Sequence, residues 1–277
     1  MLEEVARIAE EAGRIAAGRC GTDYRTWEKV PGHPVCDVDL AVDTFLREQL
    51  TALDPEAGWL SEETVDDSDR TERPRLWVVD PIDGTRDFLR DRPGWCVSVA
   101  LVEDRVPVLG VLAAPIRGEL WTAARGEGSR RNGAKLRVSP RAELAGARVP
   151  SDKLPAVDSD LVAVARPNSI ALRIAMVAAG EADLVATLRW GFEWDIAAAA
   201  LIAEEAGATV TGALGQPLAF NTASGEAFGV LVATPGIHAA AADRLRERAL
   251  AVVQPETPFV ERPFAFAQRG LFCPPRG

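Results

Sequence analysis

A short apolar run that stops at two closely spaced aspartates is the feature that most constrains this 277-residue chain. Residues Leu76 to Val79 are predicted to form a buried strand, and the string Asp80-Pro-Ile-Asp-Gly-Thr85 follows directly. Its proline and glycine should turn the chain back at once, so that Asp80 and Asp83 point into one small space. Two carboxylates that close repel each other unless a cation lies between them, and Mg²⁺ prefers such oxygen ligands. A purely structural Asp-Gly turn is the alternative.

Two further acidic strings stand at predicted boundaries of secondary structure elements. One ends with the pair Glu62 and Glu63, and the other, Glu193-Trp-Asp195, precedes an alanine-rich segment. Each has a structural alternative, since Asp195 could be only the N-cap of the following helix and the glutamate pair only a solvated loop. Their joint occurrence with the aspartate string favours one shared cation site.

Taken in order, the three strings resemble those of the inositol monophosphatase family, the lithium-sensitive, Mg²⁺-dependent phosphomonoesterases that include the bisphosphate nucleotidases. The resemblance extends over residues 1 to 250 and includes Phe88, Gly-Glu-Gly from Gly126 and Asn-Gly from Asn132. Haloacid-dehalogenase-like phosphatases also carry an Asp-Gly-Thr motif. Their nucleophilic aspartate would lie two residues before Asp83, where this chain has Pro81, so that class is excluded.

The resemblance implies a mixed α+β and α/β fold, the layered α-β-α-β-α sandwich of the inositol monophosphatase and fructose-1,6-bisphosphatase type. Residues 1–145 would form an N-terminal α+β domain with most of the metal ligands. Residues 146–250 would form a C-terminal α/β domain that contributes Asp195 and substrate contacts, and residues 251–277 a proline-rich tail. The active site is expected in the cleft between the two domains.

Apolar periodicity predicts the main elements of these domains. We expect helices over Leu2 to Ala17, Val38 to Leu53, Ser169 to Ala179 and Asp195 to Ala206. An antiparallel meander is expected over Cys96 to Val102, Val106 to Ala113 and Glu119 to Ala124, with further strands at Leu161 to Ala165 and Asp183 to Thr187.

The resemblance also implies which residues hold metal. One Mg²⁺ would be bound by Glu62, Asp80 and the carbonyl oxygen of Ile82. A second would be bound by Asp80, Asp83 and Asp195, so that Asp80 bridges the pair. Two or three ions are expected in all.

Catalytic and phosphate-binding roles follow from the same resemblance. Thr85, Glu62 and Asp39 would be catalytic, with Thr85 hydrogen-bonded to the attacking water and Asp39 orienting Thr85. The phosphate would lie against Asp83, Asp195 and the backbone N–H groups of Gly84 and Thr85, at the start of a short helix through Phe88.

Two residues depart from the family pattern, and two others have open roles. Cys36 stands where the family usually has threonine, and Ala199 replaces a common glycine. Trp190 and Phe192 are expected either to line the substrate pocket or to pack in the core.

Composition limits the partners. The formal charge of −10 argues against nucleic acid polymers and anionic membrane surfaces, although bound metal would still attract a small phosphorylated metabolite. No apolar stretch approaches the ~18 residues of a membrane span, and the first residues lack the pattern of a secretion signal. The protein is therefore expected in the cytoplasm, as a homodimer if it follows many family members.

The substrate is the least constrained prediction. The string Glu193-Trp-Asp195 and the segment from Asn168 to Leu184 resemble the 3'(2'),5'-bisphosphate nucleotidase branch, which converts adenosine 3',5'-bisphosphate to AMP, although the usual Gly-Ser-Ser-Leu is altered here. An inositol-1-phosphate phosphatase and a histidinol-phosphate phosphatase are the alternatives. A non-catalytic phosphate-binding protein and a metal-dependent phosphodiesterase are alternatives of other classes.

Overall fold

The computed structural model describes residues 1–30 and 33–253. The helices within these ranges are α1 (Leu2–Ala17), α2 (Asp37–Leu53), α3 (Thr85–Phe88), α4 (Ile170–Ala178), α5 (Ala197–Glu205) and α6 (Pro235–Val252). The strands are β1 (Thr26–Val30), β2 (His33–Cys36), β3 (Gly58–Ser61), β4 (Arg75–Asp83), β5 (Cys96–Glu103), β6 (Val106–Ala114), β7 (Glu119–Ala124), β8 (Gly128–Arg131), β9 (Ala134–Lys135), β10 (Arg148–Pro150), β11 (Val162–Val164), β12 (Leu184–Phe192), β13 (Thr209–Thr211) and β14 (Glu226–Ala233).

A seven-stranded sheet in the order β3-β4-β5-β6-β7-β8-β9 forms the centre of the molecule. β3 and β4 are parallel and the other neighbours antiparallel, so the predicted meander is confirmed. Side chains alternate between the two faces of a strand. In β4, Trp77 and Val79 therefore pack against α1 and α2, while Leu76 and Val78 point to the opposite face and pack against α4 and α5.

A second sheet, in the order β12-β14-β13, covers the other side of α4 and α5. In β14, Val230 and Val232 face those two helices, whereas Leu231 and Ala233 face α6. The layers are thus helices, sheet, helices, sheet and helix, which confirms the predicted α-β-α-β-α sandwich. The core between the sheets joins residues from both halves of the chain, and the predicted domain division at residue 145 stays a prediction.

Several elements differ from their predicted bounds. β4 continues past Val79 through Asp83, because its pairing with β5 resumes after a bulge, so the chain does not turn back at once after Val79 as predicted. β12 continues past Thr187 to Phe192, because its pairing with β14 resumes after an irregularity and reaches Glu226. α5 begins at Ala197 with Ile196 as its N-cap, so Asp195 is not the N-cap of this helix. α6 runs through Val252, into the first residues of the predicted tail, and the rest of that tail lies outside the described residues.

No described helix combines the length and the low polarity that a membrane span would need. Cytoplasmic location and homodimer formation stay predictions.

A buried ion cluster around Asp183 joins the start of β12 to β10. Asp183 is 0% exposed and accepts hydrogen bonds from Ser139 Oγ (2.5 Å), the Arg148 backbone N–H (2.8 Å) and Arg148 Nη2 (2.7 Å), with Arg141 Nε at 3.1 Å. Burial alone would raise the pKa of this carboxyl, but the hydrogen bonds outweigh it and hold the pKa well below its usual range.

We expect Asp183→Asn to lower the free energy of unfolding by about 2 to 3 kcal/mol at pH 7, a discounted value because both guanidinium groups are partly exposed. Since the folded pKa is the lower one, this stabilisation is complete above about pH 4 and is lost as the pH falls. Urea unfolding should therefore show the difference between the two proteins narrowing in acid. Asp160→Asn, in an exposed pair with Arg244, is the control and should change little. Equal effects of the two substitutions would contradict the assignment.

Candidate active site

The carboxyl ends of two parallel strands place the first acidic side chains of the site. β3 and β4 run side by side with Ser61 opposite Val79, and the Glu62 backbone N–H donates to the Val79 carbonyl (3.3 Å). Parallel strands end at the same edge of a sheet. Glu62 and Asp80, each the next residue along its strand, therefore lie next to each other at this edge.

A bulge in β4 decides where Asp83 points. Asp80 pairs with Ser98 and Asp83 with Cys96, so three steps along β4 match two steps along β5. In a regular strand, residues three apart lie on opposite faces, and the extra residue of a bulge removes that difference. Asp80 also accepts a hydrogen bond from the Ile82 backbone N–H (2.9 Å), which stabilises the bulge. The bulge thus brings both aspartates to one side.

Asp195 reaches the same place from the turn between β12 and α5. One carboxylate oxygen from each of Asp80, Asp83 and Asp195 lies within 4.8 Å of the other two. Glu62 and Ile82 line the cleft around this cluster, together with Gly84 and Thr85. The structure therefore brings the predicted metal ligands together, and their role as ligands stays a proposal.

The buried negative charges of the cluster favour the binding of a cation. Burial and then the negative charges of Glu62, Asp83 and Asp195 raise the pKa of Asp80 well above its usual value. Burial and the charges of Asp83 and Glu62 likewise raise the pKa of Asp195. Buried carboxylates that share a site cannot all stay ionised without positive charge between them. Hard oxygen donors in this arrangement suit a divalent ion such as Mg²⁺.

Asp83 is also tied to the start of α4, a contact that the sequence did not reveal. Its Oδ2 accepts from Ser169 Oγ (2.5 Å) and from the Ala171 backbone N–H (2.8 Å). Burial raises the pKa of Asp83 to about 6, although these hydrogen bonds and the charge of Arg173 oppose the increase. These hydrogen bonds fix Oδ2 of Asp83 and thereby limit how its carboxylate group can rotate.

The predicted short helix after the aspartate string is confirmed as α3, with Gly84 as its N-cap at φ +100°. Thr85 Oγ1 donates to the Ile82 carbonyl (3.2 Å), which holds the hydroxyl at the edge of the cleft. Asp39 is 2% exposed and lies close enough to raise the pKa of Asp80. Its orientation of Thr85 stays a prediction.

Of the two departures from the family pattern, Cys36 has a structural explanation. Cys36 is the N-cap of α2, and its backbone N–H (2.8 Å) and Sγ (2.9 Å) both contact Oδ2 of Asp39. The thiol thus donates where a hydroxyl is usual, and Asp39 stays anchored. Ala199 is fully buried in the core between the sheets, where α5 packs tightly.

Glu193 does not point into the cleft. It is 0% exposed and accepts from the backbone N–H groups of Asn221 (2.7 Å) and Thr222 (2.8 Å). Arg70, 3% exposed, donates to the Asn221 side chain (2.8 Å) and the Thr222 carbonyl (3.0 Å). Because Glu193 precedes Asp195 by two residues, this buried network fixes the turn that carries Asp195.

Four arginines that sequence reasoning missed share the cleft with the carboxylates: Arg86, Arg166, Arg173 and Arg189. Arg166 and Arg173 are seven residues apart, whereas Arg86 and Arg189 come from other segments, so no local string marks all four. Phe192 also lines the cleft and is stacked on Trp194, with ring centroids 4.2 Å apart and planes 9° apart. Trp190 packs edge-on against Phe228. Of the two aromatic residues with open roles, Phe192 lies at the cleft, and Trp190, on β12, packs against a neighbouring strand of the second sheet.

Comparison with known sequences gives a consistent family and several activities. The inositol monophosphatase family profile matches residues 1–257. Inositol monophosphatase 2 of Solanum lycopersicum is 33% identical, over 76% of this chain and 87% of the relative. Histidinol-phosphatase of Mycobacterium tuberculosis is 35% identical, over 74% and 84%. The 3'(2'),5'-bisphosphate nucleotidase CysQ of Aggregatibacter actinomycetemcomitans is 31% identical, over 80% and 87%.

Solved structures give the same fold. The extragenic suppressor protein SuhB of Bartonella henselae superimposes with a TM-score of 0.77 at 28% identity, covering 88% of this chain and 98% of that one. A Staphylococcus aureus protein, SaIMPase-II, superimposes at 25% identity with a TM-score of 0.74 in its complex with 2'-AMP, covering 90% and 95%.

Proposed function

The chain belongs to the inositol monophosphatase family and is a phosphoric monoester hydrolase, and we propose that it uses Mg²⁺ to hydrolyse a small phosphorylated metabolite. The observation that carries the proposal is the buried cluster of Asp80, Asp83 and Asp195 at the floor of an open cleft. This cleft has a volume of about 340 Å³ and opens to solvent, which is room for a small metabolite.

We assign the ligands as the family pattern does, for two Mg²⁺ ions with a third as an option. Glu62, Asp80 and the Ile82 carbonyl oxygen would hold one ion, and Asp80, Asp83 and Asp195 the other. Support comes from the buried carboxylates, whose raised pKa values indicate unbalanced negative charge. When bound, the ions would acidify a water molecule and stabilise the charge of an in-line phosphoryl transition state.

The remaining steps belong to the chain. Thr85 would hold the attacking water through its hydroxyl, with Asp39 orienting Thr85 and Glu62 assisting deprotonation of the water. Asp83, Asp195 and the backbone N–H groups of Gly84 and Thr85 would border the phosphate. Ser169 and the start of α4 would keep Asp83 in place during turnover, because Ser169 Oγ and the Ala171 backbone N–H donate to its Oδ2.

Adenosine 3',5'-bisphosphate is the substrate that we propose, with AMP as the product. The Glu-Trp-Asp string at 193–195 and the likeness to a bisphosphate nucleotidase support it. Phe192 supports it as well, since an aromatic ring at the cleft wall suits a nucleobase. Inositol 1-phosphate and histidinol phosphate are second candidates, favoured by the likeness to an inositol monophosphatase and a histidinol-phosphatase.

Phosphate release from a panel of monoesters tests this proposal. With Mg²⁺ present we expect rapid hydrolysis of adenosine 3',5'-bisphosphate, slower hydrolysis of inositol 1-phosphate and histidinol phosphate, and inhibition by Li⁺. Preference for either of the last two would replace the substrate assignment and keep the reaction. No release from any monoester by protein that binds Mg²⁺ in calorimetry would overturn the enzymatic proposal and leave a phosphate-binding role.

A further inference from the structure

Asp43 is a buried carboxylate to which the proposed mechanism gives no role. It lies on α2 and is 7% exposed. Asp39 precedes it by four residues, and residues four apart on a helix lie on the same face. Because a buried carboxylate is costly unless hydrogen-bond donors surround it, the partners of Asp43 indicate what this side chain does.

Both oxygens of Asp43 accept hydrogen bonds from hydroxyl groups that lie next to Glu62 in the chain. Ser61 Oγ donates to Oδ1, and Thr64 Oγ1 donates to Oδ2 (2.7 Å). Ser61 comes directly before Glu62, and Thr64 comes two residues after it. Asp43 therefore ties together the two ends of the short segment 61–64, which carries Glu62.

Two further hydrogen bonds fix the direction of these hydroxyl groups. Trp59 Nε1 donates to Thr64 Oγ1 (3.2 Å), and the Glu63 backbone N–H donates to Ser61 Oγ (3.3 Å). A hydroxyl group has one O–H bond, and here the lone pairs of each oxygen accept from an N–H while the O–H bond points to Asp43. The hydrogen bonds thus form a connected network around the carboxylate, which holds the segment more firmly than separate contacts would.

Alternation along β3 sends the Glu62 side chain to the opposite side. Trp59 packs with the core residues of α1 and α2, whereas Leu60 packs in the core between the sheets. Since successive side chains point to opposite faces, Ser61 faces α2 and Glu62 faces the cleft, which it lines. Asp43 itself lies outside the cleft, so it reaches the acidic cluster only through the segment that it holds.

We propose that Asp43 is a positioning residue for the metal site, which fixes Glu62 for the Mg²⁺ ion that Glu62 would share with Asp80. This role rests on the proposed function, in which Glu62 is a metal ligand. Mg²⁺ demands a nearly ideal octahedral arrangement of its ligands, so a ligand on a loosened segment binds it less well. Groups that orient metal ligands typically contribute a factor of about 10 to 100 to metal affinity.

Asp43→Ala removes both acceptors and tests the role directly. We expect the Kd for Mg²⁺, measured by calorimetry without substrate, to rise about 10-fold or more. The Mg²⁺ concentration that gives half-maximal turnover should rise by the same factor, while KM at saturating Mg²⁺ changes little. Asp43→Asn should recover most of the Mg²⁺ affinity, because its amide group can accept from one hydroxyl group and donate to the other.

The matched control is Asp54→Ala, because Asp54 is the C-cap of the same helix and is 4% exposed. It pairs with Arg75 (3.0 Å), at the far end of β4 from the acidic cluster. We expect this variant to have a lower Tm and an unchanged Kd for Mg²⁺. Wild-type Mg²⁺ affinity in Asp43→Ala, or an equal loss in Asp54→Ala, would overturn the proposal.

Thr64→Val supplies a second test that does not depend on the folding of Asp43→Ala. It removes one of the two hydroxyl groups at a half-buried position and leaves Asp43 in place. The Kd for Mg²⁺ should rise here as well, by a smaller factor than in Asp43→Ala. An unchanged Kd in this variant would count against a role of the network in metal binding.

A double-mutant cycle with Glu62→Gln separates failure of this role from failure of the proposed function. If Asp43 acts through Glu62, Glu62→Gln alone weakens Mg²⁺ binding, and the addition of Asp43→Ala has little further effect. Additive losses would overturn the role of Asp43 and keep Glu62 as a ligand. Unchanged Mg²⁺ binding in Glu62→Gln would instead refute the ligand assignment of the proposed function, and the role of Asp43 with it.

Discussion

Asp80→Asn is expected to lower turnover by about a thousandfold or more, which corresponds to a loss of about 4 kcal/mol of transition-state stabilisation. Asp80 is 1% exposed and lies at the centre of the cluster, where it would bridge both ions. Asparagine keeps an oxygen that can accept from the Ile82 N–H, so the turn should survive while the negative charge is lost. Steady-state kinetics and Mg²⁺ calorimetry on the same preparation measure both effects.

The same substitution should stabilise the metal-free protein. Burial and neighbouring carboxylates raise the pKa of Asp80, so its ionised form is less favourable in the folded state than in the unfolded state at neutral pH. A neutral side chain removes this cost. We therefore expect a higher Tm for Asp80→Asn than for wild type without Mg²⁺, and a smaller increase on adding Mg²⁺.

Asp54→Asn is the matched control, because Asp54 is also buried but pairs with Arg75 (3.0 Å) at the opposite end of β4. It should lower stability and leave turnover per folded molecule near the wild-type value. Near-normal turnover in Asp80→Asn would refute the metal assignment, and a large loss in Asp54→Asn would show that general loss of packing explains both.

Most of the fold and the acidic cluster could be predicted from the sequence, because the residues that encode them stand close together in short strings. Asp80 and Asp83 are three residues apart in one string, so their closeness was predictable, but the predicted turn between them is a bulge within β4, which continues through Asp83. α1 and α2 follow from apolar periodicity because each buries one regular face, and the meander strands follow from continuous apolar runs because both of their faces are covered. The end of β12 was not predictable in this way, since its last residues are ordered by pairing with β14, about 40 residues later in the chain.

Contacts between distant segments explain what the sequence did not reveal. Ser169 meets Asp83 only because α4 packs on the face of the sheet below β4. Glu193 stands in the same acidic string as Asp195, yet it is held away from the cleft by Asn221 and Thr222, which are far along the chain. The four arginines of the cleft likewise come from separate parts of the structure, and charged residues are common enough at surfaces that no single arginine stands out in the sequence.

Gly84→Ala is expected to destabilise the protein by about 3 kcal/mol or more and to reduce activity strongly. Gly84 has φ +100°, and a Cβ there would lie 2.7 Å from the Gly94 carbonyl oxygen and 2.9 Å from the Ser169 backbone nitrogen. Those two atoms are hydrogen-bonded to each other (2.8 Å), so the methyl group would press against both. Displacement of Ser169 would in turn release Asp83. Urea unfolding and turnover with Mg²⁺ measure the two effects.

Gly133→Ala separates the collision from the backbone strain. Gly133 has φ +81°, and no atom lies within 4 Å of its expected Cβ, so the substitution should cost only about 1 to 2 kcal/mol for the left-handed conformation. Turnover should stay near the wild-type value, because this turn is remote from the acidic cluster. If the two alanine variants lost equal stability and Gly84→Ala kept its activity, the close packing between the aspartate turn and the start of α4 would not be what positions Asp83.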